Sequence, residues 1–313
     1  MIDGKHDLPF HSTMPISLVP PSRRRFLQTG ALASLGALTT ASAEEESWFA
    51  LLADTHIEAD PAKEARGTNM AANLKQVVTE ILAEKTAPEF VVVNGDCAYN
   101  TGLTEDYITF RSLIQPLLEA EIPIHLTMGN HDDRGPFYDL FPESIAGSKS
   151  VENKHLTIIE SNDANWVFLD TLDIVNNVTG RMGDAQLKWL SESLDQLGGK
   201  PTLIMGHHNL QYLPEGSTAK ITGLADTQAF IDLLASKPQV KAYFYGHTHS
   251  YGFSKSESGI HLVNQPPVAY LFDDQKPNGW LKARTTRGSL TLEASCIKKG
   301  HSIHGKKTVL EWG

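Results

Sequence analysis

Residues 122–134 read Ile122-Pro123-Ile124-His125-Leu126-Thr127-Met128-Gly129-Asn130-His131-Asp132-Asp133-Arg134, and they decide the fold. The first seven are a mostly apolar run of strand length. Gly129 lets the backbone turn sharply at the strand end. Asn130, His131 and Asp132 then stand at the carboxyl end, where open α/β sheets keep their sites. Four more strand-like runs finish in the same way. Trp48 to Ala53 runs into Asp54-Thr55-His56, and Phe90 to Asn94 runs into Gly95-Asp96. Pro201 to Met205 runs into Gly206-His207-His208, and Val240 to Tyr245 runs into Gly246-His247-Thr248-His249.

One histidine after an apolar run is ordinarily structural. Five strand ends that all deliver Asp, Asn or His are a different matter. The candidate ligands are Asp54, His56, Asp96, Asn130, His207, His247 and His249. An all-oxygen-and-nitrogen set suits hard or borderline divalent metals and not a thiolate zinc site. Seven ligands exceed what one tetrahedral ion takes, and they suit two ions that share a carboxylate.

In this order, Asp-x-His, Gly-Asp, Gly-Asn-His-Asp, Gly-His-His and Gly-His-x-His resemble the calcineurin-like metallophosphoesterases over about residues 48–290. Gly129 to Arg134, with Phe137 and Phe141 soon after, is similar to the branch of class III cyclic-nucleotide phosphodiesterases and glycerophosphodiesterases. Gly183, Gln186 and Trp189-Leu190 also sit as the family has them. The resemblance implies a four-layer α/β/β/α sandwich of two mixed sheets flanked by helices. It implies two divalent or mixed-valence ions (Mn, Fe or Zn), one on Asp54, His56 and His249, the other on Asn130, His207 and His247. Asp96 would bridge them, because a carboxylate offers two anionic oxygens. A hydroxide held between the ions would attack the phosphorus of a small phosphate ester in line, with a phosphodiester favoured by the Asp-Asp-Arg extension.

Around those ligands the residues divide. His131 is not needed as a ligand and is expected to face the substrate, as a general acid or a charge stabiliser. Asp132 either orients a histidine or caps a turn. Arg134 either meets phosphate or, the favoured reading, makes a loop ion pair. His208 either touches substrate or packs. His125, His155, His261, His301 and His304 read as structural, the last two in a polar tail. Gly95-Asp96-Cys97-Ala98-Tyr99 also fits a purple-acid-phosphatase pattern in which the tyrosine binds ferric iron. Those enzymes lack the first-motif histidine that is present here as His56, so Tyr99 reads as a packed loop residue. A phosphomonoesterase of that type, or a secreted binding protein on the same fold, are the alternative functions. The second would show gaps in its ligand set, and this chain has none.

Between the strand ends lie helical faces at 70–82, from about 104 to 118, from Asp184 as N-cap to Gly198-Gly199, and at 228–235. Strands are expected at 156–159 and 166–169. Hairpin signals follow His249, with 252–253 and 260–263 around one polar turn and 281–284 and 289–292 around another. The pattern by itself is α/β followed by antiparallel β.

Residues 1–43 read as a leader. Ser22-Arg23-Arg24-Arg25-Phe26-Leu27 matches the twin-arginine export pattern, a short stretch of small apolar residues follows, and Ala41-Ser42-Ala43 is a cleavage site. Residues 44–313 form one domain, and the mature product is expected to be periplasmic or secreted, delivered by the twin-arginine machinery, with no stable membrane anchor. The 313 residues are 41% apolar and 20% charged, ordinary for a globular protein. The leader carries four of the 27 basic and two of the 37 acidic residues, so its removal takes the net charge from −10 to −12. Such a surface repels long nucleic acid. Cys97 and Cys296 read as two separate buried thiols.

Overall fold

The computed structural model describes residues 47–142, 151–214 and 216–312. The expected leader, with its arginine pair and its expected cleavage site, lies outside the described residues. In chain order the strands are β1 (Phe49–Leu52), β2 (Glu64–Ala65), β3 (Thr68–Asn69), β4 (Val91–Asn94), β5 (Ile124–Thr127), β6 (Thr157–Glu160) and β7 (Asn165–Phe168). They continue as β8 (Thr202–Met205), β9 (Val240–Tyr245), β10 (Gly252–Lys255), β11 (His261–Asn264), β12 (Gly279–Thr285), β13 (Ser289–Cys296) and β14 (Lys307–Glu311). The helices are α1 (Met70–Leu82), α2 (Thr104–Glu119), α3 (Arg134–Leu140), α4 (Asp184–Gln196) and α5 (Thr227–Ala235). Among the described residues, no helix is long and apolar enough to cross a membrane.

Two six-stranded sheets hold the molecule, in the orders β14-β13-β12-β1-β4-β5 and β10-β11-β9-β8-β7-β6. In the first, β1, β4 and β5 run parallel and β12 joins antiparallel to β1. In the second, β7, β8, β9 and β11 run parallel, with β6 and β10 antiparallel at the edges.

The strand residues alternate between two apolar layers, because successive side chains leave opposite faces of a strand. Phe49 and Leu51 of β1 meet Trp166, Phe168, Leu203, Met205 and Phe244 between the sheets. Ala50 and Leu52 turn the other way, onto Leu74, Val77 and Ile81 of α1 and Phe110 of α2. In the second sheet Ile204 faces outward onto Leu190 and Leu194 of α4 and Phe230 of α5. Helix, sheet, sheet and helix therefore alternate with three apolar layers, the expected four-layer sandwich. Strands buried on both faces explain the unbroken apolar runs of the sequence. Each large side chain removed from water contributes roughly 1.5–3 kcal/mol before entropy is counted.

Some local expectations are corrected. Asp184 is the first residue of α4, and Gly183, at φ 77°, takes the cap position. Gly198, at φ 68°, follows the C-cap residue Leu197, as a helix end requires. The region after Arg134 contains α3, capped by the Asp133 carboxylate, which accepts from the Gly135 amide at 2.9 Å. The C-terminal tail returns as β14 beside β13, with Leu310 buried and Val309 exposed in strand alternation. His304 Nδ1 accepts the Cys296 amide at 3.2 Å. His125 stacks on Phe168, His155 meets the Tyr138 hydroxyl, and His261 donates to the Glu311 carbonyl. Cys97 and Cys296 are both buried and free.

Candidate metal centre

The parallel strands β1, β4, β5, β8 and β9 all end on the same rim. Asp54 and His56 follow β1, Asp96 follows β4, Asn130 follows β5, His207 follows β8, and His247 and His249 follow β9. The backbone leaves the strands abruptly there. Asp54, His56, Asp96, His247 and His249 all have φ between 47° and 66°, the left-handed region that non-glycine residues rarely occupy. Strain of that kind persists only where the surroundings hold it. Two glycines let the loops close up: a Cβ on Gly129 would lie 2.2 Å from Asp96 Oδ1, and one on Gly246 would lie 2.3 Å from Asp54 Oδ2.

The side chains meet across the two sheets. His207 Nε2 is 3.2 Å from Asp96 Oδ2 and 3.9 Å from Asp54 Oδ1. His56 Nε2 is 3.5 Å from Asp96 Oδ2, and His249 Nε2 is 3.7 Å from Asp54 Oδ1. Backbone amides tie both carboxylates in place: His247 N–H donates to Asp54 Oδ1 and His131 N–H donates to Asp96 Oδ1, each at 2.9 Å.

Four histidines have their tautomers fixed by backbone carbonyls. Nδ1–H of His56, His207 and His249 donates to Tyr99, Asn94 and Tyr270 at 3.2, 2.9 and 2.7 Å, while Nε2–H of His247 donates to Thr222 at 2.6 Å. The opposite nitrogen of each neutral ring then carries a lone pair. His56 Nε2 and His249 Nε2 face each other at 2.9 Å, and His207 Nε2 faces two carboxylates. Lone pairs pointed at one another repel unless a cation or proton lies among them. Asp54 Oδ2, Asn130 Oδ1 and His207 Nε2 are also buried without a hydrogen-bond partner. This donor set fits divalent metal ions.

Burial sets the charge states of the metal-free centre. It pushes Asp54 up to about 7 and drives His56 down, and His247 and His249 down to about 4. Burial also opposes the charges of Asp96 and His207, but each holds the other: Asp96 lies well below the usual carboxylate range and His207 rises to about 9.

His131 is half-buried on the wall of the cavity above these residues. Its Nδ1–H donates to the Asn100 carbonyl at 2.7 Å, and it groups with His56 and Asp96 closely enough to be a ligand itself. Asp132 holds turns together, accepting from the amides of Gly129, Cys97 and Ala98 and from the Tyr107 hydroxyl. Among the described residues, none of its bonds goes to a histidine. Arg134 donates to both oxygens of buried Asp170, at 2.7 and 2.8 Å, and to the Leu172 carbonyl, so it is the loop ion pair and not a phosphate contact. His208 is fully buried beside His207 and His247, bonded to the Thr171 hydroxyl at 2.7 Å. Tyr99 offers His56 its carbonyl and not its phenol. Gln265 accepts from Asn94 Nδ2 at 2.7 Å and Asn264 pairs with Thr248, so both are structural.

A cavity of about 360 Å³ opens over the ligands, lined by Asp96, Asn130, His131, His247 and His249 and, on its walls, Val178, Asn209, Thr222, Thr248, Tyr270 and Phe272. Asn209 and Thr248 belong to the histidine motifs, whereas Val178, Thr222, Tyr270 and Phe272 come from loops that carry no metal-ligand signal. The aromatic pair Tyr270-Leu271-Phe272 in a polar loop is the hint the sequence offers.

A mixed sandwich with this rim defines a metal-dependent phosphoesterase. The sequence model of the calcineurin-like phosphoesterases matches residues 47–251, and the chain belongs to that family of metal-dependent phosphoric ester hydrolases. It is 29% identical over 222 residues to the 3',5'-cyclic adenosine monophosphate phosphodiesterase CpdA of Pseudomonas aeruginosa, covering 71% of this chain and 76% of the relative. It is 27% identical over 235 residues to the glycerophosphodiester phosphodiesterase GpdQ of Enterobacter lignolyticus, covering 73% and 81%. The fold matches a dimetal phosphatase from Danio rerio with a TM-score of 0.65 at 15% identity, covering 85% of this chain and 99% of that one.

The raised value of His207 has a measurable consequence. Its folded, metal-free pKa of about 9 lies above the ordinary 6.5, so the ring is protonated at pH 7. A metal needs the same Nε2, so metal affinity falls as pH drops below 9, and loading at pH 7 releases about one proton or more per chain. Calorimetric titration of chelator-stripped protein with Mn(II) in two buffers of different ionisation enthalpy should give different apparent heats. Heats that do not depend on the buffer would contradict this charge assignment.

Proposed function

We propose that this chain is an exported phosphodiesterase for small diesters, working with two divalent ions that share Asp96. The observation that carries the reading is the position of Asp96, which belongs to two potential ligand groups at once, one with His56 and His131 and one with His207 and His247. Asp54, His56 and His249 would hold one ion, and Asn130, His207 and His247 the other. Bound there, divalent ions would supply charge neutralisation at the phosphoryl oxygens and a water of lowered pKa.

The chain's own groups do the rest. The carbonyls of Tyr99, Asn94, Tyr270 and Thr222 keep the ligand rings oriented. His131, held by the Asn100 carbonyl at Nδ1, keeps Nε2 for substrate; protonated there, it donates to the leaving oxygen. Among the described residues, no lysine or arginine lines the floor of the cavity over the candidate ligands, and Arg66 reaches it only at the exposed edge, over Phe272. A singly charged diester suits such a wall better than a dianionic monoester, and the diesterase names of the relatives agree.

The test is a panel of diesters and monoesters on the manganese-loaded protein, with His131→Ala beside the wild type. We expect diesters to be preferred by at least about tenfold in kcat/KM. The variant should retain its metals and lose about 10²–10⁴-fold on an alkyl diester but far less on a nitrophenyl diester, whose leaving group needs no proton. A preference for monoesters would sink the diesterase reading. Equal losses on the two diesters would replace the acid role with charge stabilisation.

Export rests on the sequence alone. Ser22 to Leu27, the apolar stretch after it and Ala41-Ser42-Ala43 stand in the order of a twin-arginine leader, which would deliver a folded, metal-loaded protein to the periplasm or beyond. The acidic mature surface argues against long nucleic acid as a partner. Arg23→Lys with Arg24→Lys should leave the precursor in the cytoplasm with its leader attached. Unchanged processing and export would refute the leader assignment.

A further inference from the structure

One wall of the cavity is built differently from the rest. Phe272 is 57% exposed, although a large aromatic ring loses free energy by standing in water. Its ring centroid lies 4.6 Å from that of His249, at 32° between planes. Tyr270 lies at the same distance from His249 on a 31° tilt, and 5.1 Å from His56. Candidate ligand rings and wall rings therefore form one continuous aromatic surface, running from the metal centre to the cavity mouth.

Arg66 completes it from another part of the chain. It sits between β2 and β3 at φ 51°, followed by Gly67 at φ 72°. Two left-handed residues in a row make the tight turn of a two-residue hairpin, where Asn or Gly is the usual first residue. An arginine there gives up backbone comfort to present its side chain. The guanidinium carbon lies 4.7 Å from the Phe272 centroid and 6.0 Å from that of Tyr270. Among the described residues, no carboxylate or carbonyl is bonded to it. An unpaired, planar, weakly hydrated cation on an exposed aromatic ring is a stacking surface with free hydrogen-bond donors.

We propose that Phe272, Tyr270 and Arg66 form a platform that takes the planar base or aryl group of a phosphodiester, so that the site prefers nucleotide-like diesters to diesters of flexible alcohols. The inference rests on the diesterase reading above. Arg66 and the aromatic rings each offer a π surface on which a base stacks, and Arg66 can donate to ring nitrogens or exocyclic oxygens at the base edge. A glycerol or choline arm has no such plane and gains nothing from the platform.

The experiment compares cyclic adenosine monophosphate with glycerophosphocholine on manganese-loaded wild type, Phe272→Ala, Phe272→Trp and Arg66→Ala, with metal content measured for each. Phe272→Ala and Arg66→Ala should each raise KM for the cyclic nucleotide about tenfold, a loss of about 1.4 kcal/mol. Their kcat should stay within about twofold, and KM for glycerophosphocholine should hardly move. Phe272→Trp should keep the wild-type KM, because a larger ring stacks as well. Equal changes on both substrates, no change on either, or loss of metal from Phe272→Ala would each overturn the platform. A wild-type protein that cleaves neither diester would instead sink the diesterase reading, and the platform with it.

Discussion

The metal centre depends on a repulsion that the fold builds in. Four histidine rings are pinned by backbone carbonyls so that their free nitrogens turn inward, toward each other and toward Asp54 and Asp96. These lone pairs and carboxylates oppose the compact state unless a cation or proton stands among them, and Asp96 accordingly favours the protonated form of His207. A divalent cation removes the opposition at once. A cation bound there would therefore stabilise the folded rim, where the backbone is left-handed at Asp54, His56, Asp96, His247 and His249.

The rest of the architecture keeps the two halves of that centre in register. Asp54, His56, Asp96 and Asn130 come from one sheet, and His207, His247 and His249 from the other. The apolar layer around Phe49, Trp166 and Phe244 sets the separation of the sheets but has no directional preference. Direction comes from a few buried polar ties beneath the rim. Asn94 donates to Gln265 of the opposite sheet's loop and to the Gly206 carbonyl, accepts from Thr127, and gives its own carbonyl to His207. Asp54 accepts the His247 amide across the same gap. Each tie is worth about 1 kcal/mol net, and leaving one buried partner alone costs more.

Much of this was legible in the sequence because chemistry and topology coincide at strand ends. An apolar run that stops in Gly-Asp or Gly-His marks both a buried strand and a candidate ligand, so the gathering of Asp96, Asn130, His207, His247 and His249 on one rim could be expected without coordinates. What stayed hidden depends on distant partners. Asp170, which takes up Arg134, lies 36 residues away and carries no motif. The carbonyls of Thr222 and Tyr270 that orient His247 and His249 are backbone atoms, and any residue type could supply them. The strand β14 was missed because its short alternation is bracketed by lysines and glycines. Phe272 and Arg66 meet over a loop and a turn of no regular period, where pattern reading has nothing to hold.

Two cations sharing the Asp96 carboxylate would match the inward lone pairs of the rim. Anomalous diffraction from crystals of the manganese- or zinc-loaded protein, collected on both sides of the metal edge, tests this most directly. Two anomalous peaks per chain are expected, both in contact with Asp96, one also touching His56 and His249 and the other His207 and His247. A single peak at full occupancy, or a pair of which only one touches Asp96, would contradict it.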